Sequence, residues 1–405
     1  MLDPAKARSH FPSLARSYNG EPLLYFDNPA GTQVPRETVE GYAAYLGHSN
    51  ANVGGPFVTS RETDELIARA RQAMADMLGA ASSQEIVFGP NMTSLTFQLS
   101  HALARRLGPG DEIITTELEH DANVAPWLAL AERGVVIKRI PLRTDDVTLD
   151  VHGVDALFSR RTRLLAVGYA SNAFGTINDV RLLAEVAHAH GAVVFVDAVH
   201  YGPHGPIDVG ALGADLLACS AYKFFGPHLG ILYGRQEVLD QLPVSHVRPA
   251  GDAAPEKWET GTKNHEALAG LLGTISYLSS LADHGPQRAA LQQSMHRIRE
   301  YEQLLVRRLV LGLAAMPRVR VFGITDPADL ERRVPTVSFL VDGLDPYDGA
   351  RRLAERGICS WSGNHYAVEP LRRLQVPATQ RVGLVHYNTE LEIDRFLEAV
   401  AEIAE

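Results

Sequence analysis

The sequence has few of the features that mark secreted, membrane-spanning or nucleic-acid-binding proteins. Only two of its 405 residues are cysteine, Cys219 and Cys359, which is too few for a disulfide framework. No run approaches the roughly 18 to 20 apolar residues of a membrane span, and the first residues contain no apolar signal core. The formal net charge is −10, without a block of like charges, which argues against a nucleic-acid or membrane partner. We therefore expect a soluble, cytoplasmic protein that acts on a small molecule.

A dinucleotide fingerprint is also missing. No Gly-x-Gly-x-x-Gly follows the first predicted strand of the middle region, at 86–88, so a nicotinamide-dependent dehydrogenase is not indicated. The length exceeds that of a usual single core, and two domains are expected.

Strands and helices alternate between about residues 85 and 233. Short apolar runs such as Ile86–Phe88, Leu164–Val167 and Val193–Val196 are separated by amphipathic stretches such as Arg181 to His190. Strands that are apolar throughout, with helices between them, predict a mostly parallel, doubly wound sheet in an α/β domain. After about Leu268 long helices and a shorter strand-helix unit predict a smaller α+β domain. The predicted division is an N-terminal segment (1–20) that packs on the small domain, a large domain (21–267), and linking helices with the small domain (268–405).

An acidic residue and a lysine end two neighbouring predicted strands. Asp197 closes the run Val193–Val196, and Lys223 follows the apolar segment Leu216 to Ser220. Ligands in such sheets bind at the carboxyl ends of the strands. A lysine that forms a Schiff base and an acid that keeps a pyridine nitrogen protonated are what an enzyme needs to hold pyridoxal 5'-phosphate (PLP). The pairing predicts a PLP-dependent enzyme.

Polar residues follow other strands as well. Thr93 lies in a Gly-Pro-Asn-Met-Thr-Ser segment between a strand and a helix, where backbone amides and hydroxyls favour phosphate. His120 and Asn172 also follow predicted strands. Taken singly, Thr93 is equally typical of a helix N-cap, and His120 of a surface residue. Together at successive strand ends they indicate a site.

In this order the segments resemble the class V aminotransferase family of fold-type I PLP enzymes, most closely its cysteine desulfurase and selenocysteine lyase branch. The resemblance runs from Tyr25-Phe26-Asp27-Asn28-Pro29-Ala30-Gly31 to Arg381-Val382-Gly383-Leu384-Val385-His386-Tyr387-Asn388, nearly the full chain.

The resemblance implies a role for each residue around the cofactor ring. Lys223 is similar to the Schiff-base lysine, Asp197 to the partner of the pyridinium nitrogen, and His120 to the residue stacked over the ring. His200 and Asn172 would lie near the ring hydroxyl.

The resemblance also implies phosphate ligands and a shared site. Met92, Thr93 and Ser220 match the phosphate-binding segments, and Tyr222 stands where desulfurases usually have a histidine but could still donate to phosphate. Thr262 resembles a contact donated by the neighbouring subunit. Such sharing implies a homodimer.

At the substrate end, Arg381 resembles the arginine that holds the substrate carboxylate, a role suited to its two-pronged donor geometry. His365, Tyr366 and Trp361 lie in or beside the loop on which desulfurases present a cysteine thiolate. Tyr366 stands at the cysteine position, and Trp361 stands where desulfurases tend to carry a basic residue. The two aromatic rings indicate a pocket for a substrate bulkier or less polar than free cysteine.

The missing loop cysteine separates this sequence from an ordinary desulfurase. A phenol such as Tyr366 is mostly neutral near pH 7 and cannot carry a persulfide. Cys359 precedes it by seven positions in a strand-like segment, and Cys219 lies in an apolar run, so both are predicted to be core residues.

Three functions remain compatible with the sequence. The first is a PLP-dependent lyase that breaks a carbon-sulfur bond of an amino acid or amino-acid conjugate by beta-elimination, using Lys223, Asp197, Arg381 and an acid such as His120 or Tyr366. The second is an aminotransferase or epimerase, and the third a PLP-fold binding protein with little catalysis. No metal site is expected.

Overall fold

The computed structural model describes residues 2–405, and its largest element is a seven-stranded sheet. Six strands are parallel, and Gly230–Gly234 alone runs antiparallel to both neighbours. In spatial order the strands are Ile86–Gly89, Gly230–Gly234, Leu216–Ser220, Val193–Asp197, Thr162–Gly168, Glu112–Thr116 and Val136–Ile140. The prediction of a mostly parallel sheet in an α/β fold is confirmed.

The central strands are buried on both faces because helices cover the sheet from either side. All four residues of Leu164–Val167 are fully buried, which explains why the strand is apolar throughout. The helices of this part are Arg36–His48, Val58–Leu78, Met92–Ala104, Ala125–Leu128, Val180–Ala189, Val209–Leu212, Gln236–Gln241 and His265–Ser280. The parallel strands all end at the same edge, which places the turns after them side by side.

The C-terminal part is built on a smaller antiparallel sheet. Its strands, in spatial order, are Val319–Val321, Thr336–Val341, Thr379–Gly383 and Trp361–Gly363. Its helices are Gln287–Ala314, Pro346–Glu355, Val368–Leu374 and Glu390–Ala404. A separate apolar cluster, with Val337, Phe339 and Phe396 fully buried, forms its core. Arg381 and Trp361 lie opposite each other in this sheet.

The first helix, Pro4–Arg8, is flanked on both sides by residues that contact the two parts of the chain. Leu2 joins the apolar cluster of the C-terminal part, whereas Phe11 packs its ring against Phe225. Met1 of the predicted N-terminal segment lies outside the described residues. The predicted boundary at 267/268 falls inside the helix His265–Ser280, which packs against Arg36–His48.

Short pairs of strands complete the fold. Ser17–Tyr18 pairs with Glu21–Pro22, and Leu24–Tyr25 runs parallel to Ile358–Cys359, which joins the beginning of the chain to its C-terminal part. Within residues 2–405, no helix combines the length and the apolar character needed to cross a membrane.

Candidate active site

A cleft of about 1110 Å³ opens at the carboxyl ends of the parallel strands, between the two sheets. It brings together nearly all of the predicted site residues. Those that line it are Lys223, Asp197, His120, His200, Asn172, Met92, Thr93, Ser220, Tyr222, Arg381, Trp361, His365 and Tyr366. Thr262, predicted to act from a neighbouring subunit, is exposed outside this cleft.

Lys223 lies in the single turn Ala221–Lys223 that follows the strand Leu216–Ser220. Its Nζ donates hydrogen bonds to the backbone carbonyls of Pro29 and Ala30, the latter at 3.0 Å. Burial, and then the charge of Arg381, lower the pKa of the amine to about 7 against the opposing effect of the nearby carboxylates. A large fraction of this lysine is therefore an uncharged, nucleophilic amine near neutral pH.

Asp197 ends the next strand and lies at the floor of the cleft. Its Oδ1 accepts a hydrogen bond from the backbone N–H of Val199 at 2.9 Å. Burial outweighs the opposing effects of this hydrogen bond and of Lys223, and the pKa of the carboxyl is raised to about 6. A buried carboxylate of this kind stabilises a positive charge placed beside it.

His120 follows the strand Glu112–Thr116, and its ring faces the cleft. Nδ1 accepts the backbone N–H of Ala122 at 3.0 Å, so the neutral ring carries its hydrogen on Nε2. Burial, and then the charges of Lys223 and Arg381, lower the pKa of His120 to about 4. At neutral pH His120 is therefore a flat, uncharged ring rather than an imidazolium acid.

His200 and Asn172 form the wall beside Asp197. His200 is buried, and its Nε2 contacts the hydroxyl of Thr336 at 3.0 Å. Burial, with neighbouring positive charges, holds the pKa of His200 well below its usual range. Asn172 donates from Nδ2 to the carbonyl of His365 at 2.7 Å, while its buried Oδ1 has no hydrogen-bond partner among residues 2–405. A buried amide oxygen without a protein partner can accept a hydrogen bond from a ligand in the cleft.

The helix Met92–Ala104 begins at the other end of the cleft. Asn91 caps it by accepting the N–H of Ser94 at 2.8 Å, and the N–H of Met92 donates to the hydroxyl of Ser220 at 3.0 Å. The Met92 N–H is thus already used inside the protein, which leaves Thr93 and the Ser220 hydroxyl to face a ligand. A helix N-terminus with hydroxyl donors favours an anion.

Gly230 permits this arrangement. A side chain there would approach the backbone of Asn91 to 2.5 Å, closer than any real contact. The other side of this end is formed by Tyr222, whose ring stacks on His228 with the centroids 4.9 Å apart.

Arg381, on the strand Thr379–Gly383, is buried at the opposite end of the cleft. Its Nη1 donates to the carbonyl of Asn172 at 3.0 Å, and its Nη2 lies 3.7 Å from Oδ1 of Asp27. The Nε has no hydrogen-bond partner among the described residues. Burial lowers the pKa of the guanidinium to about 10, which leaves it a cation at neutral pH. An incompletely paired, buried cation is suited to bind a carboxylate.

The loop after Trp361–Gly363 carries His365 and Tyr366, both in the left-handed region at φ 54° and 55°. The backbone holds it: Tyr366 accepts the N–H of Asp121 at 2.8 Å, and Ala367 donates to Asn364 at 2.8 Å. The imidazole of His365 contacts the hydroxyl of Thr379 at 3.0 Å. His365, predicted to bind substrate, thus anchors the loop through that contact.

Tyr366 itself projects into the mouth of the cleft, 68% exposed. Its ring stacks on His120, with the centroids 5.4 Å apart and the planes inclined by 20°. Non-glycine residues in the left-handed region cost free energy and persist where the surroundings hold them, often at functional sites.

Neither cysteine lines the cleft. Cys219 is buried inside the strand Leu216–Ser220, and burial raises the pKa of its thiol. Cys359 is half-buried and pairs with Tyr25 in the short parallel ladder. Burial also raises the pKa of the Cys359 thiol.

The loop that carries Thr262 is anchored by a buried ion pair. Glu259 accepts two hydrogen bonds from Arg71, at 2.7 and 2.6 Å, and one from the N–H of Phe88 at 2.8 Å. Lys263 adds a contact at 2.9 Å. The same carboxylate therefore braces the strand that leads to the helix Met92–Ala104 and the loop with Thr262.

Sequence reasoning missed two acidic residues near the site. Glu119 is fully buried and accepts hydrogen bonds from Thr116 at 2.6 Å, Gly168 at 2.9 Å and Asn123 at 2.7 Å. Burial raises the pKa of Glu119 to about 7. Its place directly before His120 was the available signal. The other is Asp27, in the segment Tyr25 to Gly31.

The chain belongs to the class V aminotransferase family. The family's sequence model, "Aminotransferase class-V", matches residues 24–396. Enzymes of this family use PLP.

Within the family, the similar proteins are cysteine desulfurases. A "Cysteine desulfurase" of Klebsiella pneumoniae is 35% identical over 98% of this chain and 97% of its own length. A "Probable cysteine desulfurase" of Mycolicibacterium paratuberculosis is 35% identical over the whole chain, which spans 59% of that relative's length. The apo structure of cysteine desulfurase from Thermococcus onnurineus superposes with a TM-score of 0.89, at 30% identity, and covers 100% of this chain and 98% of that one. These relatives place the chain in the desulfurase branch of the family.

The residues of the cleft fit PLP. An amine with a pKa lowered to about 7, a buried carboxylate, an unpartnered amide oxygen and a helix N-terminus lie around one cavity. These groups match an aldehyde, a pyridine nitrogen, ring substituents and a phosphate respectively.

Proposed function

We propose that this protein is a PLP-dependent lyase that breaks the carbon-sulfur bond of an amino-acid conjugate by beta-elimination, without forming a persulfide on the chain. One observation carries the proposal: Tyr366 occupies the loop tip above His120, while both cysteines lie outside the cleft. A tyrosine can donate a proton to a leaving group but cannot store sulfur.

The proposed cofactor contacts follow from the cleft. Lys223 would hold PLP covalently, Asp197 its ring nitrogen, and Thr93 with Ser220 its phosphate. PLP, when bound, supplies an acceptor for the electron pair released at the substrate's alpha carbon. His120 would cover the ring as a neutral, flat group.

Arg381 is the proposed partner of the substrate carboxylate. Its Nε has no hydrogen-bond partner among the described residues, and its Nη2 lies 3.7 Å from Oδ1 of Asp27. A carboxylate bound here is held in a fixed orientation, which determines which bond of the alpha carbon faces the reacting centre.

Two side chains are placed to move protons. The neutral fraction of Lys223 can accept a proton at Nζ, since burial lowers its pKa to about 7. The departing sulfur takes a proton from the phenol of Tyr366, which regains it from water. His120 is the poorer donor because burial lowers its pKa to about 4, which leaves almost none of it protonated near neutral pH. The overall reaction converts the conjugate and one water into a thiol, ammonia and pyruvate.

We also propose that a second copy of the chain completes the phosphate site through Thr262. The supporting observation is that Thr262 is exposed outside its own cleft, on a loop fixed by the buried contact between Arg71 and Glu259. Sedimentation of the holoenzyme should then give a dimer, and Thr262→Ala should weaken PLP retention while leaving the Lys223 reaction intact. A monomer that retains PLP fully would contradict the shared site.

A cysteine-free variant tests the absence of a persulfide directly. The double substitution Cys219→Ala and Cys359→Ala removes every thiol of the chain. We expect it to release pyruvate and thiol from S-substituted cysteines at the wild-type rate, and the wild type to show no sulfur bound to protein after turnover. Loss of turnover in the folded variant, or amino-group transfer to a keto acid in place of pyruvate release, would overturn the proposal. Lys223→Ala is the inactive control.

A further inference from the structure

We propose that Asp27 is a specificity-determining residue: its carboxylate offsets the charge of Arg381, so the cleft accepts amino acids with neutral side chains and rejects those with a second anionic group. This inference rests on the proposed assignment of Arg381 to the substrate carboxylate. It adds the substrate class, namely conjugates with an uncharged, apolar or aromatic substituent on sulfur.

Asp27 is fixed beside the strand that carries Arg381. Its backbone forms an isolated parallel bridge with Gly383, and the N–H of Gly383 donates to the carbonyl of Phe26 at 2.7 Å. Only 14% of the Asp27 side chain and 5% of the Arg381 side chain are exposed. The position of the carboxylate is therefore determined by the backbone and not by its own polar contacts.

The carboxylate acts through charge. Its Oδ1 is buried, 3.7 Å from Nη2 of Arg381, and has no hydrogen-bond partner among residues 2–405. Burial raises the pKa of Asp27, while the charges of Arg381 and then Lys223 oppose this. A buried carboxylate oxygen without a hydrogen-bond partner acts on its surroundings mainly through its charge.

The charges of the cleft leave little room for a second anion. Among the described lining residues, the only lysine or arginine side chains are Lys223 and Arg381. Asp197 lies near Lys223, and Asp27 lies beside Arg381, so each basic side chain has an acidic neighbour. Other titratable lining groups are His120, His200, His365, Glu119, Tyr222, Tyr366 and the exposed His228. Burial lowers the pKa of the first three histidines, which keeps them uncharged near neutral pH.

The mouth of the cleft offers apolar surface instead. Trp361 is 53% and Tyr366 68% exposed, and both line the opening. Flat aromatic rings bury the apolar substituent of a conjugate but offer no cation to a carboxylate or sulfonate. The two ends of the cleft thus favour the same substrates.

Binding of unreactive acids to the holoenzyme tests the inference without turnover. Isothermal titration calorimetry with propionate, a monoanion, and succinate, a dianion, should show wild-type protein binding propionate at least about tenfold more tightly. Asp27→Asn keeps the shape but removes the charge. We expect it to tighten propionate by about threefold and succinate by about tenfold, because the gain grows with the charge of the ligand.

Asp394→Asn is the matched control, since it removes the same charge from an aspartate paired with Arg308 at the surface, at 2.6 Å. It should leave the affinities for propionate and succinate unchanged, whereas Arg381→Gln should bind neither acid. An unchanged ratio of the two affinities in Asp27→Asn, or equal affinities in the wild type, would overturn the inference. If Asp27→Asn does not fold, the ratio of the wild-type affinities for propionate and succinate tests the inference.

The outcome is independent of the proposed lyase activity. Discrimination between the acids without any pyruvate release would refute the lyase and retain the role of Asp27. Pyruvate release together with equal affinities for propionate and succinate would retain the lyase and refute the role of Asp27.

Discussion

Tyr366 and His120 lie ring over ring across the cleft, 5.4 Å between centroids, although they come from different parts of the chain. His120 follows a strand of the large sheet, whereas Tyr366 lies at the tip of a loop of the small sheet. The contact lies at the mouth of the cleft and places a phenol ring against an imidazole that is neutral at physiological pH.

Tyr366→Phe should keep the stacking and remove the proton donor. We expect kcat for elimination to fall by roughly a hundredfold, a typical contribution of general acid catalysis, with little change in KM. The loss should be smallest for conjugates whose thiol is most acidic, because such thiols leave without a proton. Steady-state pyruvate release across a series of substituted thiophenol conjugates measures this. An equal loss for all leaving groups would contradict an acid role.

The low pKa of Lys223 should appear in the pH dependence of cofactor uptake. Its folded pKa is lowered to about 7, so the reactive amine forms as pH rises through 7, and uptake of PLP by the cofactor-free protein should level off above it. Two variants should shift the midpoint in opposite directions. Arg381→Gln removes a repelling cation and should raise it, whereas Asp27→Asn removes a stabilising anion and should lower it. Absorbance during uptake at several pH values follows both, and shifts in the same direction would contradict the charge arrangement.

Asp197→Asn should separate activity from stability. We expect turnover to fall by at least about a hundredfold because the cofactor nitrogen loses its anionic partner. The cofactor-free protein should behave differently. Because burial raises the folded pKa of Asp197 to about 6, above its unfolded value, its contribution to stability is lost as pH rises from about 4 to 6. The asparagine variant should therefore be the more stable one at pH 8, by up to about 3 kcal/mol. Urea unfolding at pH 4 and pH 8 tests the sign.

Much of the site could be predicted because the carboxyl ends of parallel strands meet at one edge. Lys223, Asp197, His120 and Asn172 each follow a strand of the large sheet, and their convergence needs no knowledge of side-chain packing. Where segments of the two parts meet, that rule does not apply. The contacts of Asp27 with Arg381 and of Asn172 with His365 join residues separated by 354 and 193 positions. They depend on how the small sheet packs on the large one, which periodicity does not encode.

Burial was the other quantity that sequence reasoning could not supply. Glu119 stands in a polar stretch typical of a surface turn, yet it is fully buried with three hydrogen-bond donors around it. Asn123, one of these donors, lies four residues later and also accepts a hydrogen bond from Trp127 at 3.1 Å. The buried tryptophan, with Leu118 and Val124, was the apolar signal that this turn packs inward.

The buried ion pair of Arg71 with Glu259 should stabilise the folded protein. Arg71→Met should lower the free energy of unfolding by about 3 to 5 kcal/mol, because it leaves a buried carboxylate with less compensation. Arg71→Met combined with Glu259→Gln should recover part of this loss. Chemical denaturation of the single and double variants measures the coupling, and a double variant no more stable than the single would show that Lys263 already compensates Glu259.

The loop at Asn364 to Ala367 is held by backbone hydrogen bonds and by the imidazole of His365, and none of these contacts uses the side chain of residue 366. Its shape is therefore indifferent to which side chain stands at the tip. A lineage could exchange a cysteine for a tyrosine at the tip in one step, without refolding the loop or moving the rest of the cleft. In this fold the residue at the loop tip can therefore change without a change in the loop that carries it.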